Sequence, residues 1–282
     1  MTKWSHCAVL FLIGSLLSPQ LYSQTPKLDE RFSEASVAAS EKQTKKIRQE
    51  LRDLKDHDWA GEYYFGDGLG VNVSLALAPK GGFTFSWHGC LGLYDLNYGG
   101  VAFTNGTVKL LFKYPNKQEG FQGLAPELLP VRWGERHYLI AADHIVDFAN
   151  AINAGSEPSS LFGGRSASFL LRRGDEKKPV SGQPNLPSEF LTYILAEPIK
   201  AKISFVEQTR LEHARRITNV RLDVGSIDGL KAGMELYVHS PSRIFETAVV
   251  TDVSEHSAKA VIEQMETTDP APSTDWELST KL

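Results

Sequence analysis

The sequence predicts a mainly β protein: an N-terminal helix, an antiparallel β-barrel or sandwich domain carrying one helix, and a second, smaller barrel. Three observations predict it. One segment, Asp29 to Asp58, lacks Gly and Pro and is rich in Ala, Glu, Lys, Gln and Arg. From Trp59 onward apolar residues alternate with a period of two, punctuated by turn-forming dipeptides. A charged, Pro-rich stretch without periodicity, residues 173–187, then divides the β region in two.

Composition sets the outer bounds. The 282 residues are 41% hydrophobic and 23% charged, too apolar for a disordered chain and too interrupted for a polytopic membrane protein. Lys and Arg total 30 against 34 Asp and Glu, a net charge of -4, which argues against nucleic acid as a partner.

Residues 1–23 read as a signal peptide: Lys3, an apolar run from Cys7 to Leu17, Pro19, then the small Ser23 before Gln24. That run is shorter than the roughly 20 apolar residues a spanning helix needs. Cleavage after Ser23 is therefore expected, leaving no integral membrane segment; the alternative is a retained N-terminal anchor, since Leu21 is larger than the ideal residue at the minus-three position. Cys7 stands at the start of the run rather than after it, which argues against lipoprotein processing. The mature chain would keep one cysteine, Cys90, and no internal disulfide. That suits a periplasmic or secreted bacterial protein stabilised by its core alone.

The helical lead-in, residues 24–58, has a narrow apolar stripe of Ile47, Leu51 and Leu54, and its acidic and basic residues balance. Such a helix either lies along a body with one narrow face or pairs with another helix, and the plainer reading is a solvated helix entering the first domain. The antiparallel β domain spans residues 59–172. Val71 to Leu77 and Phe83 to Trp87 alternate around the turn Pro79-Lys80-Gly81-Gly82. Val101 to Thr104 and Thr107 to Lys113 flank Asn105-Gly106, the dipeptide that suits a two-residue primed turn. Further strands are expected at Glu62 to Phe65, Val131 to Trp133, Arg136 to Ala141 and Ser168 to Arg172. One helix is expected from Asp143 as N-cap to Gly155, burying Ile145, Phe148, Ala149 and Ile152. After a linker and short helix, residues 173–198, the second domain occupies 199–282. Its strands are read at Lys200 to Glu207, Arg215 to Asp223, Met234 to His239, Ile244 to Val253, Ala258 to Gln264 and Trp276 to Leu282.

Chemistry-bearing motifs are sparse. Gly66-Asp67-Gly68-Leu69-Gly70 is followed by an alternating strand rather than by a helix N-terminus, so it reads as a hairpin turn and not a phosphate loop. Trp87-His88-Gly89-Cys90 places an imidazole two residues from the thiol, on one face of a strand. Two ligands do not complete a metal site, so Cys90 reads as a buried structural cysteine and His88 as a hydrogen-bonded or exposed histidine. His137 and the group Asp143, His144 and Asp147 are the residues that would complete such a site. Arg132, Glu135 and Arg136 flank Trp133-Gly134 and read as an ordinary charged turn, with an anion contact from the two arginines as the alternative. No Gly-x-Ser-x-Gly elbow occurs, no acid, base and nucleophile arrangement emerges, and no cofactor or metal is implied.

Two stretches carry resemblances. Trp59-Ala60-Gly61-Glu62-Tyr63, opening a run of hairpins, resembles the start of lipocalin-type barrels, in which a Gly-x-Trp element closes the barrel base. Here Gly61 precedes Tyr63 and Trp59 comes earlier. Val224-Gly225-Ser226-Ile227-Asp228-Gly229-Leu230-Lys231-Ala232-Gly233-Met234, with Ala248 to Val253 and Ser257 to Ala260, resembles the small SH3-like β-barrel of envelope proteins. Such barrels form the C-terminal domain of flagellar assembly protein T and the β-domains of the cell-shape protein MreC. That resemblance implies a noncatalytic envelope module whose Leu230 plugs the barrel end. The function expected is noncatalytic binding or assembly in the bacterial envelope, with another envelope protein as partner. The alternative is a carrier holding a small apolar ligand in the first β domain; a filled core with an exposed patch favours the former, a continuous apolar cavity the latter.

Overall fold

The computed structural model describes residues 29–54, 56–66, 71–116, 124–156, 158, 169–240, 246–265 and 270–282. The signal-like residues 1–23 and residues 67–70 of the glycine cluster lie outside this set. Among the described residues no helix is long and apolar enough to cross a membrane. The chain is mainly β and forms two closed antiparallel barrels.

The first barrel is an up-and-down meander of eight strands: β1 (Gly61–Gly66), β2 (Val71–Ala78), β3 (Gly82–Gly89), β4 (Gly92–Thr104), β5 (Thr107–Phe112), β6 (Glu127–Trp133), β7 (Arg136–Ala141) and β8 (Phe169–Arg172). Each strand pairs with the next, and β8 returns to β1 through Tyr63↔Arg172 and Tyr64↔Leu171. Strand alternation sorts the residues. Tyr63, Leu75, Leu77, Phe83, Phe85 and Leu139 belong to one buried cluster inside the barrel, while Tyr138 and Ile140 face outward beneath a separate cluster. The Asn105-Gly106 turn has φ of 53° and 76°, as a primed turn demands.

Helix α1 (Glu34–Asp53) begins at Ser33, whose side chain accepts from the Ser36 amide. It lies against β2, β3 and β4 rather than in solvent. The outward residues of β2 and β3 are small, so Ile47 seats on Ala76 and Ala78 and is 0% exposed. Beside it, Gln43 Nε2 donates to the carbonyls of Gly81, Phe83 and Gly99 at 3.1, 3.0 and 2.7 Å. Gly82 makes this approach possible. Its φ is +75°, and a Cβ there would stand 2.0 Å from the Gly99 carbonyl oxygen.

Helix α2 (Ile145–Asn153) follows a 3-10 turn at Ala142–His144, and Asp143 caps nothing. The N-cap position falls on His144, whose Nδ1 lies 2.7 Å from Asp147 Oδ2. Entry through a 3-10 turn displaces the helix start past Asp143. The apolar face, with Ile145 and Phe148, packs on Tyr138 and Ile140 of the first barrel. Its opposite side meets the second barrel. Asn150 Nδ2 donates to the Gly233 carbonyl at 2.9 Å and its Oδ1 accepts from the Glu235 amide at 3.3 Å.

Residues 173–187 have no regular secondary structure but lie along the first barrel. Asn185 donates to the Arg132 carbonyl at 2.9 Å, Glu135 to the Pro179 carbonyl at 3.1 Å, and Trp133 Nε1 to the Gly182 carbonyl at 2.9 Å. Helix α3 (Ser188–Leu191) then leads into six strands: β9 (Lys200–Glu212), β10 (Arg215–Leu222), β11 (Glu235–Ser240), β12 (Thr247–Val253), β13 (Ala258–Gln264) and β14 (Glu277–Ser279). They close in the order β10-β13-β12-β11-β14-β9. Leu230, Met234, Leu236, Ile262 and Trp276 form its core.

Candidate functional site

One cluster of polar groups of the first barrel lies at the end where three separated segments meet: residues 56–63 entering β1, the β6–β7 turn, and residues 172–178 leaving β8. Arg172 is the centre of this mouth. It sits on the inward face of β8 with its guanidinium over the Tyr63 ring, 5.7 Å from the centroid. It donates to the His57 carbonyl and, at 3.3 Å, to the Tyr63 hydroxyl. Gly61 makes room for it, since a Cβ there would lie 2.9 Å from Arg172 Nε. Tyr63 in turn donates to the Trp59 carbonyl at 3.0 Å. Burial pushes the Tyr63 hydroxyl up to about 12, against a weaker opposing pull from Arg172. Trp59 stacks on Phe103 with ring centroids 5.8 Å apart.

Next to Arg172 stands His137, whose side chain is 2% exposed. Asp175, equally buried, accepts from the His137 amide at 2.9 Å and lies 2.8 Å from its Nδ1. Lys178 Nζ is 2.5 Å from the other Asp175 oxygen. Burial alone would raise the Asp175 pKa, but the bonds from Lys178 and from His137 outweigh it and the net shift is downward. For His137 burial is the largest cause and lowers the pKa, outweighing the Asp175 bond, which raises it. An ionised Asp175 therefore faces a neutral imidazole with its proton on Nδ1. Nε2 is left buried without a hydrogen-bond partner.

What faces Nε2 is Asp56. Its Oδ1 lies 3.4 Å from His137 Nε2 and 3.9 Å from Arg172 Nη1, and its Oδ2 lies 3.5 Å from Arg132 Nη2. All three distances are longer than good charge-assisted hydrogen bonds. The carboxylate is 62% exposed.

Of the residues singled out in the sequence, Arg132 belongs to this mouth and Arg136 does not. They lie on opposite faces of the β6–β7 hairpin. Arg132 aligns with His137 across the strands, whereas Arg136 donates to the Lys178 carbonyl at 2.6 Å. The paired-arginine anion contact is thus replaced by Arg132 with Arg172. His88 and Cys90 sit at the opposite rim, where β3 turns into β4, and both are exposed. The expectation of a buried structural cysteine is corrected. A register shift between Trp87 and His88 ends the regular strand, and the two-residue turn carries Cys90 and Leu91 out of the sheet, Leu91 being 91% exposed. His137 lies at the other end of the barrel and does not complete a site with them. Among the described residues no cluster of three or more His, Cys, Asp and Glu is arranged to hold a metal.

Sequence reasoning missed Arg172, Asp56 and Asp175. The signals were weak ones: a cation ending the apolar run Phe169-Leu170-Leu171, and carboxylates inside charged, aperiodic stretches.

The second barrel carries a different feature. β9 pairs with β14 only from Lys200 to Lys202, while its hairpin with β10 continues to Glu212↔Arg215. Every residue from Glu207 to Arg215 is exposed, as are Phe205 and Leu211. Among the described residues no backbone bond reaches the outer edge of β9 beyond Ile203. The tip residues His213 and Ala214 adopt φ of 48° and 64°, a left-handed turn built without glycine.

No protein-family model matches the sequence, and comparison with curated proteins and with solved structures returned no match.

Proposed function

We propose that this is a noncatalytic binding and assembly protein of the bacterial envelope, which docks an extended segment of a partner polypeptide on the open edge of β9. The envelope setting rests on the signal-like sequence of residues 1–23. The observation that carries the docking role is the unpaired backbone of β9 beyond Ile203. Such an edge accepts a strand, with main-chain bonds supplying affinity and side-chain anchors supplying specificity. Phe205 and Leu211 are exposed by 55% and 69% and offer those anchors.

The carrier alternative draws less support. Tyr63, Leu75, Leu77, Phe83 and Phe85, none more than 2% exposed, pack in the interior of the first barrel where such a ligand would lie. A groove of about 210 Å³ on that domain runs outside the wall, between α1 and β1–β3, and its lining includes Arg48, Glu62, Ser74, Ser86 and Arg173.

Site-specific photocrosslinking in the native host tests the proposal. A crosslinker placed at Leu211 should trap a defined partner that one placed at Leu111, on the first barrel, does not. A peptide from that partner should bind the purified protein, protect amides of residues 204–212 from exchange, and lose at least tenfold in affinity with Phe205→Lys and Leu211→Lys together. Binding that leaves those amides unprotected, or that survives both substitutions, overturns the docking role.

A further inference from the structure

The geometry points to a carboxylate-binding subsite at the mouth of the first barrel, built from Arg132, Arg172 and His137 and occupied in the resting protein by the chain's own Asp56. It does not depend on the β9 edge, which belongs to the other barrel. Three features argue for a binding site rather than a fixed ion-pair network. The cations are held by other groups: Arg172 by the His57 carbonyl, the Tyr63 hydroxyl and the Tyr63 ring, and Arg132 by the Gly134 carbonyl at 3.2 Å. Arg172 Nη1 and Arg132 Nη2, the atoms nearest Asp56, are therefore positioned without its help. Asp56 itself is held at 3.4–3.9 Å by all three and is 62% exposed, so water reaches the carboxylate and an incoming one can replace it. Finally, His137 Nε2 is buried without a hydrogen bond, an arrangement that costs free energy unless a ligand supplies the missing partner.

The protonation balance specifies how the ligand binds. The charged groups facing His137 are Asp175 from the segment after β8, Asp56 from the segment before β1, and Arg172 from β8; Lys178 and Arg132 neutralise the two carboxylates from behind. A neutral Nε2 presents a lone pair to the site, which repels a carboxylate oxygen. A tightly seated carboxylate therefore binds with uptake of one proton from solvent onto Nε2, and the resulting N–H donates to the bound oxygen. Both arginines keep their protons and no covalent bond changes. By linkage the affinity rises as the pH falls. Asp56 makes the same contacts loosely because its backbone is tied to the segment that enters β1.

The test removes the resident group and supplies its chemistry from outside. In the full-length protein, Asp56→Ala should melt at a temperature that rises with acetate beyond the rise in sodium chloride of equal ionic strength. The midpoint should lie at least tenfold lower in acetate than for the wild type, because the internal competitor is gone. Asp56→Asn, which keeps the shape and removes the charge, serves if the alanine variant folds poorly. The acetate response should be larger at pH 6 than at pH 8, and adding Arg132→Gln should abolish it. N-acetylglycylglycine against its C-terminal amide separates the two sources of a carboxylate: a response to the free peptide at lower concentration than to acetate assigns the subsite to a chain terminus, the reverse to a small acid, and either supports it. Equal responses to acetate and chloride in the Asp56 variants, an acetate effect that persists with Arg132→Gln, or one independent of pH overturns the proposal.

Discussion

Acidification from neutral pH should weaken the first barrel through His137, starting at a higher pH than any loss through Asp175. Burial lowers the pKa of this imidazole in the folded protein, while in the unfolded chain it titrates near the ordinary value of about 6.5. Between those two values the unfolded state binds a proton that the folded state does not, so stability falls as the pH falls, with a slope of up to about 1.4 kcal/mol per pH unit for one group. Asp175 has the opposite chemistry and another window. Its folded pKa is depressed, so its contribution is complete above the unfolded value of about 3.9 and is lost only as the pH falls from there through the folded value. Urea unfolding of wild type and His137→Gln at half-unit steps between pH 7.5 and 5 isolates the first window, because the other histidines contribute equally to both proteins. Glutamine keeps a donor for Asp175 and cannot charge. The wild type should lose stability relative to the variant below about pH 6.5. Parallel curves across the range would refute the assignment of a neutral, buried His137.

Two further outcomes follow from the placement of single residues. Cys90, exposed in the β3–β4 turn, should be alkylated in the native protein within an order of magnitude of its rate in denaturant, and Cys90→Ser should change stability by less than about 0.5 kcal/mol; urea titration and thiol labelling in a Cys7→Ser background check both. Asn150, 3% exposed, bonds the Gly233 carbonyl and the Glu235 amide. Asn150→Ala should cost about 1–3 kcal/mol by leaving buried backbone groups unpaired, and calorimetry should show the two barrels melting at more widely separated temperatures than in the wild type.

Most strands were legible because their signal is local. Alternation marks β2, β3 and β13, and Asn105-Gly106 marks its turn, since these depend only on neighbours a few residues away. β9 was read five residues too short, ending at Glu207 instead of Glu212, for a definite reason. Its turn, His213-Ala214, carries neither Gly, Asn nor Asp, although both residues adopt positive φ, so no turn chemistry announced the hairpin. α1 was legible as a helix, and its narrow stripe of Ile47, Leu51 and Leu54 allowed packing along a body without favouring it over solvent. Its partner surface is made of Ala76, Ala78 and Gly82, residues whose smallness looks like the polar side of a strand until something is seen to cover them. The mouth was least legible. His137, Arg172 and Asp175 are buried polar residues, and burial of a charge is decided by partners far along the chain: Asp175 by His137, 38 residues away, and Arg172 by His57, 115 residues away.

That long-range assembly also limits how the mouth can respond to a ligand. Asp56 sits between two fixed points. On one side α1 is pinned to the outer wall by Ile47 and Gln43 and ends with Leu54 packed against the barrel cluster. On the other, Trp59 is 6% exposed and stacked on Phe103. Displacing the Asp56 carboxylate asks little of either neighbour where its own side chain swings away, because the His57 carbonyl then stays on Arg172 and β1 stays in register with β2 and β8. The cations stay where they are, since Arg172 is carried by β8 and braced by Tyr63, and His137 is carried by β7 and braced by Asp175. A mouth built in this way exchanges one carboxylate for another without opening the barrel.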